Sequence, residues 1–132
     1  MAADEIRPVR SPEDVVRVRQ VVRAFAVDIG FSLVDQTKIV TAASELARNT
    51  LTHGGGGTVR LETVESGGRR GLKLVFEDKG PGIADLQLAL KDGHTTTGGL
   101  GLGLGGARRL SNEFEVESTL GEGTRVTIVR WK

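Results

Sequence analysis

The amino-acid sequence predicts an α+β protein built as a two-layer α/β sandwich, with helices on one face of a mixed sheet. Two segments, at 12–28 and 35–52, repeat apolar residues at the spacing of an amphipathic helix. Two later segments alternate apolar and polar residues and turn back at glycines, as β-hairpins do. Because helix pairs that alternate with hairpins pack as two layers, we expect a single domain that spans residues 1–132.

Charge and composition argue against several classes of function. Eighteen basic residues nearly balance 17 acidic ones, which gives no general affinity for nucleic acid or for a membrane surface. The sequence has no cysteine, no apolar signal segment at its start and no apolar run long enough to span a bilayer. We therefore expect a cytoplasmic protein without disulfides.

The N-terminal elements are predicted from their end signals. Residues 6–10 are typical of a short edge strand, because Pro8 has no N–H to donate to a second neighbour. Ser11 is the expected N-cap of the first helix and Pro12 its first residue, and Gly30 is expected to end it.

The second helix and the strands after it are predicted in the same way. Asp35 is the expected N-cap of a helix that runs to about Thr52, where His53 and four glycines end it. The period then changes to two, and a turn at 66–71 indicates a β-hairpin.

The last third of the chain is predicted to return from helix to strand. We expect a short helix at 83–90, a glycine- and threonine-rich loop at 92–106 and a third helix at 104–112. A second hairpin is expected to pair residues 113–118 with residues 124–131.

A carboxylate stands where the central strand ends, in the pattern Asp78-x-Gly80-x-Gly82. Asp78 alternates in phase with the apolar residues of that strand, Leu72, Leu74 and Phe76, so it is expected to face the core side. A carboxylate placed there needs a donor, and the exocyclic amine of adenine is one. Guanine has an oxygen at that position, so adenine would be preferred. An ordinary tight connection is the alternative interpretation.

Polar side chains one turn apart mark one face of the second helix. Glu45 and Asn49 are four residues apart and Arg48 lies beside them, which is most simply a solvated face. The alternative is chemical, because an Asn oxygen suits Mg²⁺ and a carboxylate can orient or deprotonate a nucleophile.

The glycine-rich segment at 98–106 satisfies the pattern G-x-G-x-x-G but lacks the strand and the following βαβ unit of a dinucleotide-binding fold. A glycine loop that runs into a helix N-terminus favours phosphate, and a flexible surface loop is the alternative. Gly121-x-Gly123-Thr124 is most simply a hairpin turn, with the Thr124 hydroxyl on the same side as Asp78.

Taken together, these four motifs resemble the GHKL (Bergerat-fold) ATPases, and the chain is similar to the anti-sigma-factor serine/threonine kinases among them, most closely to the RsbT branch. The resemblance implies that ATP or ADP binds with Mg²⁺. It implies that Glu45 is the catalytic base, Asn49 the metal ligand, and Asp78 and Thr124 the adenine contacts. Arg48 is a further candidate for contact with phosphate or a partner. The glycines implied are those of the base pocket, Gly80 and Gly82, and those of the phosphate lid, Gly98, Gly99, Gly101 and Gly103.

The resemblance also implies protein partners. The expected substrate is a serine or threonine on a STAS-domain antagonist in a stressosome-type partner switch, and the released kinase is expected to activate a PP2C-type phosphatase. One alternative is an anti-sigma factor that binds a sigma factor directly. Another is a nucleotide-gated binding module without kinase activity.

Overall fold

Five strands and three helices make up the part of the chain that the computed structural model describes, residues 4–83 and 103–132. In chain order they are β1 Glu5–Val9, α1 Pro12–Ile29, α2 Leu33–Thr52, β2 Gly57–Ser66, β3 Arg69–Asp78, α3 Gly103–Arg109, β4 Glu113–Thr119 and β5 Gly123–Trp131. The predicted order of helices and hairpins is confirmed for these residues. The predicted helix at 83–90 lies, apart from Ile83, outside them.

Helix α1 begins and ends at the residues that the sequence predicts. The Ser11 hydroxyl accepts a hydrogen bond from the Asp14 N–H at 3.2 Å, and Pro12 needs no partner in the first turn. Gly30 ends the helix at φ 99°, a left-handed conformation that glycine adopts without steric cost.

The predicted N-cap of α2 is wrong. Ser32 caps this helix, and its hydroxyl accepts from the N–H of Asp35 at 3.2 Å. Asp35 therefore lies inside the first turn, and its carboxylate binds Arg130 of β5 instead. Serine and aspartate are both good caps, and three residues separate them here, so local sequence does not choose between them.

The strands form one sheet in the order β1-β2-β3-β5-β4, and every neighbouring pair is antiparallel. The sandwich is as predicted, but the sheet is not mixed. Both hairpins are antiparallel by construction, and the remaining contacts of β3 with β5 and of β1 with β2 are antiparallel as well. Only the route of the chain between the hairpins decides that direction, and it has no local signal.

The core lies between the sheet and the helices that cover one face of it. Alternate residues of the central strands are fully buried there, with Leu72 and Leu74 at 0% exposure and Phe76 at 2%. A shift of one residue would turn this whole set to the opposite face, so the register is strongly determined. The register in turn fixes which way Asp78 points.

Helix α3 begins inside the segment that the sequence predicts as a glycine- and threonine-rich loop. Residues 103–106 belong to the helix Gly103–Arg109, not to a loop, and Leu104 is buried against the core. The rest of the predicted loop, at 92–102, lies outside the described residues.

Candidate functional site

One row of residues crosses the sheet where β3 ends. Asp78 is paired with Gly57 of β2 on one side and with Thr124 of β5 on the other, and Thr124 is paired with Ser118 of β4. The row shares its face with Phe76, which is buried beneath the helices. The side chains of Asp78 and Thr124 are therefore cross-strand neighbours, with Cβ atoms about 4.5–5.5 Å apart.

Two glycines pack directly around the Asp78 carboxylate. A Cβ atom on Gly54 would lie 2.6 Å from Asp78 Oδ2, and a Cβ atom on Gly80 would lie 2.7 Å from Gly54 Cα. Real Cβ atoms do not approach other atoms so closely, so both positions require glycine. The end of α2 is thereby brought against the end of β3.

Gly54 is a site residue that the sequence reasoning missed. The run of four glycines at 54–57 predicts only a helix end. The sequence has only a weak signal for this role of Gly54. Nothing local distinguishes a glycine that ends a helix from one that must also leave room for a neighbouring carboxylate.

The Asp78 carboxylate has one hydrogen bond from the described residues. Its Oδ1 accepts from the Gly80 N–H at 2.9 Å, so the bend itself supplies a donor where the sequence predicts only the amine of adenine. Among the described residues, no group donates to Oδ2. The carboxylate is only half-buried, and this second oxygen can accept a hydrogen bond from a ligand amine.

The predicted bend at 80–82 is held against the β4–β5 turn. The Gly121 N–H donates to the Pro81 carbonyl at 2.8 Å. Gly82 has a φ of 79°, and a Cβ atom on it would lie 2.6 Å from the Thr119 carbonyl oxygen. Gly82 thus serves a close contact with the turn, beside the pocket that it was predicted to shape.

Glu45 is buried on α2, with only 6% of its surface exposed. It makes no hydrogen bond or ion pair with any residue in the described ranges 4–83 and 103–132. An unpaired carboxylate is costly to bury, so the interpretation of this stripe as a fully solvated face is wrong at Glu45. Arg48 and Asn49, on the same stripe, are half-buried.

The backbone links Asn49 to the carboxylate at the strand end. The Asn49 carbonyl accepts from the N–H groups of His53 at 2.9 Å and Gly54 at 3.3 Å. Gly54 is also the residue against which Asp78 packs. The last turn of α2 and the predicted adenine contact therefore border the same space.

The predicted phosphate-binding glycines are only partly visible. Gly98, Gly99 and Gly101 lie outside the described residues, and Gly103 is the first residue of α3. Helix α3 packs against α2, and its Ala107 is fully buried. The glycine-rich segment therefore leads into a helix that rests on the helix of Glu45 and Asn49.

Two features are absent from the described part of the chain. No group of three or more His, Asp or Glu side chains there could hold a metal ion by itself. None of its helices combines the length and the apolar character needed to cross a membrane.

Comparisons with known proteins identify the family. The family model described as histidine kinase-like ATPase domain matches residues 9–130. The serine/threonine-protein kinase RsbT of Bacillus subtilis is 47% identical over 118 residues, which cover 89% of each chain. The anti-sigma F factor of a Thermoanaerobacter species is 31% identical over 119 residues, 86% of this chain and 82% of that protein.

Solved structures share the fold. The RsbU and RsbW domains of a Mycobacterium tuberculosis protein superpose with a TM-score of 0.65 at 20% identity, covering 99% of this chain and 33% of that one. The histidine kinase domain of a blue-light-activated kinase from Erythrobacter litoralis superposes with a TM-score of 0.56 at 22% identity, over 93% of this chain and 60% of that one.

Proposed function

Because the chain belongs to the histidine kinase-like ATPase family, as its four motifs predict, we propose that it is a serine/threonine protein kinase. It transfers a phosphoryl group from Mg-ATP to a serine or threonine of a STAS-domain antagonist protein. The observation that carries the proposal is the 47% identity to a serine/threonine-protein kinase over 89% of the chain. The geometry of the described residues supports it at both ends of the nucleotide.

The adenine end of the proposed site is the row that contains Asp78 and Thr124. Asp78 Oδ2 accepts the exocyclic amine. The absence of a side chain at Gly54 leaves room for that carboxylate, and the absence of one at Gly80 leaves room for Gly54. Thr124 supplies a hydroxyl beside it. A carboxylate that faced the oxygen of guanine would lack its hydrogen bond, which costs more than about 1–3 kcal/mol.

The phosphate end of the proposed site lies along α2. Asn49 would hold Mg²⁺ through its side-chain oxygen, a ligand type that suits this ion. Gly98, Gly99, Gly101 and Gly103 line the phosphates, and Arg48 contacts phosphate or the partner. When bound, ATP would supply the phosphoryl group and Mg²⁺ would offset the negative charge of the phosphates.

Glu45 is the proposed catalytic base. Only 6% of the residue is exposed, and its carboxylate has no hydrogen-bond partner among the described residues that would compete for an incoming hydroxyl. It orients the acceptor hydroxyl and takes up its proton as the bond from that oxygen to the γ-phosphorus forms. The bond from the γ-phosphorus to ADP breaks in the same transfer, and ADP is the leaving group. Positioning of this kind, not covalent chemistry by the protein, is how phosphoryl transfer is generally accelerated.

The proposed partners follow from the kinase assignment. Release from the STAS-domain protein frees the kinase to bind and activate a PP2C-type phosphatase. The alternative, direct binding of a sigma factor, has some support in the 31% identity to an anti-sigma F factor. The higher identity to the kinase favours phosphotransfer.

One assay separates these functions. The protein is incubated with labelled ATP, Mg²⁺ and a panel of STAS-domain proteins from the same organism, and the phosphorylated residue is mapped. Phosphate on one serine or threonine of a STAS-domain protein is the expected result. Binding of a sigma factor with no phosphotransfer to any STAS-domain protein would replace the kinase proposal by the alternative.

Arg48 is tested in the same assay with the variant Arg48→Ala. Either slower phosphotransfer or weaker binding of the STAS-domain protein is expected. The variant Arg60→Ala is the control, because Arg60 is exposed on β2 and faces away from the helices. A fully active Arg48→Ala protein with unchanged partner affinity would remove Arg48 from the site.

A further inference from the structure

Ser118 joins three backbone and side-chain groups next to the proposed adenine pocket. Its hydroxyl accepts a hydrogen bond from the Ile83 N–H at 2.8 Å. It lies 2.9 Å from the Thr124 hydroxyl and 3.3 Å from the Gly123 carbonyl oxygen. No motif in the sequence marks this serine, which is half-buried on the edge strand β4.

The direction of the Ser118–Thr124 hydrogen bond determines what Thr124 can offer to a ligand. Ser118 has a single proton, and its possible acceptors are Thr124 Oγ1 and the Gly123 carbonyl. If that proton goes to Gly123, Thr124 donates its own proton to Ser118 and has only lone pairs left for a ligand. If it goes to Thr124, which is the nearer acceptor, the Thr124 proton is free to be donated.

Adenine requires the second arrangement. Its exocyclic amine is a donor, and the ring nitrogen beside that amine is an acceptor. Asp78 Oδ2 is an acceptor, and Thr124 stands directly opposite Asp78 on the next strand. Asp78 Oδ2 can therefore accept from the amine while the Thr124 hydroxyl donates to the ring nitrogen.

We propose that Ser118 is the positioning residue of the adenine pocket, because it donates to Thr124 and leaves the Thr124 proton for the ring nitrogen of the base. The inference rests on the proposed function, since it needs a bound adenine nucleotide. Ser118 also accepts a hydrogen bond from the Ile83 N–H, directly after the Asp78–Gly82 bend. This second contact holds the backbone there and is not expected to contribute to ADP affinity.

Isothermal titration with ADP and Mg²⁺ tests the proposal through a double-mutant cycle. Ser118→Ala is expected to weaken ADP binding about three- to tenfold, the effect of one hydrogen bond. The double variant Ser118→Ala, Thr124→Ala should bind ADP no more weakly than Thr124→Ala alone, because the serine acts through the threonine. Ser118→Thr restores the hydroxyl on a β-branched residue that suits a strand and should recover most of the affinity.

The control variant is Ser111→Ala. In the wild type the Ser111 hydroxyl donates to the Ala107 carbonyl at 2.7 Å, and this residue is not part of the row that crosses the sheet. It should bind ADP as the wild type does. Amide exchange provides a second readout: the Ile83 N–H should exchange faster in Ser118→Ala and at the wild-type rate in Thr124→Ala.

The outcomes separate the two proposals. A wild-type protein that does not bind ADP would refute the proposed function. If the wild type binds ADP and Thr124→Ala weakens binding, but Ser118→Ala has no effect or adds an independent loss, the positioning role alone is refuted.

Discussion

The guanidinium of Arg130 lies 2.7 Å from the carboxylate of Asp35, although the two residues are 95 positions apart. Arg130 also donates to the Leu110 carbonyl at 2.9 Å, just after α3 ends. One side chain of β5 therefore ties the first turn of α2 to the end of α3. The Arg130 side chain is only 13% exposed, so this link is protected from most of the solvent.

Stability should depend on pH through this pair. The hydrogen bond from Arg130 is the main cause that holds the pKa of Asp35 below its ordinary value of 3.8. Folding therefore favours the ionised form of Asp35. Its contribution to the free energy of unfolding is fully present above pH 3.8 and is lost as pH falls through the lower pKa of the folded state. Asp35→Asn should thus lower the free energy of unfolding at pH 7 and have a smaller effect near pH 3.

Urea unfolding of wild type and Asp35→Asn at both pH values measures this difference. Asp4→Asn is the matched control, since Asp4 is exposed and should have little effect at either pH. An Asp35→Asn effect of equal size at both pH values would show that the ion pair does not contribute.

Gly54→Ala should weaken nucleotide binding by displacing the Asp78 carboxylate. The added methyl group would overlap the Asp78 side chain, so either the carboxylate or the end of α2 must move. We expect at least a tenfold loss of ADP affinity by titration calorimetry, the scale of one charge-assisted hydrogen bond.

Gly71→Ala is the control for Gly54→Ala. Its methyl group would approach the Trp131 ring to 2.6 Å, on the sheet face away from the helices. Both variants should lower the melting temperature, but Gly71→Ala should retain ADP affinity wherever it remains folded. Equal losses of affinity in the two variants would mean that Gly54 matters only for stability.

Asp78→Asn should reduce both affinity and base selectivity. The amide keeps the shape but replaces a charged acceptor, and hydrogen bonds to charged groups contribute roughly 1.5–3 kcal/mol. We expect ADP to bind about 10- to 150-fold more weakly, with a smaller preference for ADP over GDP. Glu77→Gln changes the neighbouring carboxylate, which is exposed on the opposite face, and should bind both nucleotides normally. Unchanged ADP binding by Asp78→Asn would contradict the proposed adenine contact.

Glu45→Gln should separate chemistry from binding. Loss of a general base lowers the rate by about 10²–10⁴-fold, while removal of an unpaired buried charge should leave ADP affinity and stability largely intact. Single-turnover phosphotransfer to the STAS-domain protein measures the rate, and calorimetry measures affinity. Glu115→Gln, on the exposed face of β4, is the control. Full phosphotransfer by Glu45→Gln would exclude it as the base.

Local signals predicted most elements because each depends on residues that are close in sequence. Ser11, Pro12 and Gly30 define α1 by capping chemistry that acts over three or four positions. The same kind of signal was ambiguous at α2, where Ser32 and Asp35 compete for the role of cap. Sheet direction had no such signal, and the expected mixed sheet is antiparallel throughout.

The sequence by itself determined the family and the order of elements, and it indicated Glu45, Asn49 and Asp78 as candidate site residues. Strand periodicity alone placed Asp78 and Thr124 on the core side, because alternate side chains point to one face. Only the tertiary structure decided that they are direct neighbours, that Glu45 is buried with no hydrogen-bond or ion-pair partner among the described residues, and that Gly54 lies against Asp78. These relationships join residues far apart in the chain, and they depend on which strands pair and how the helices pack on them.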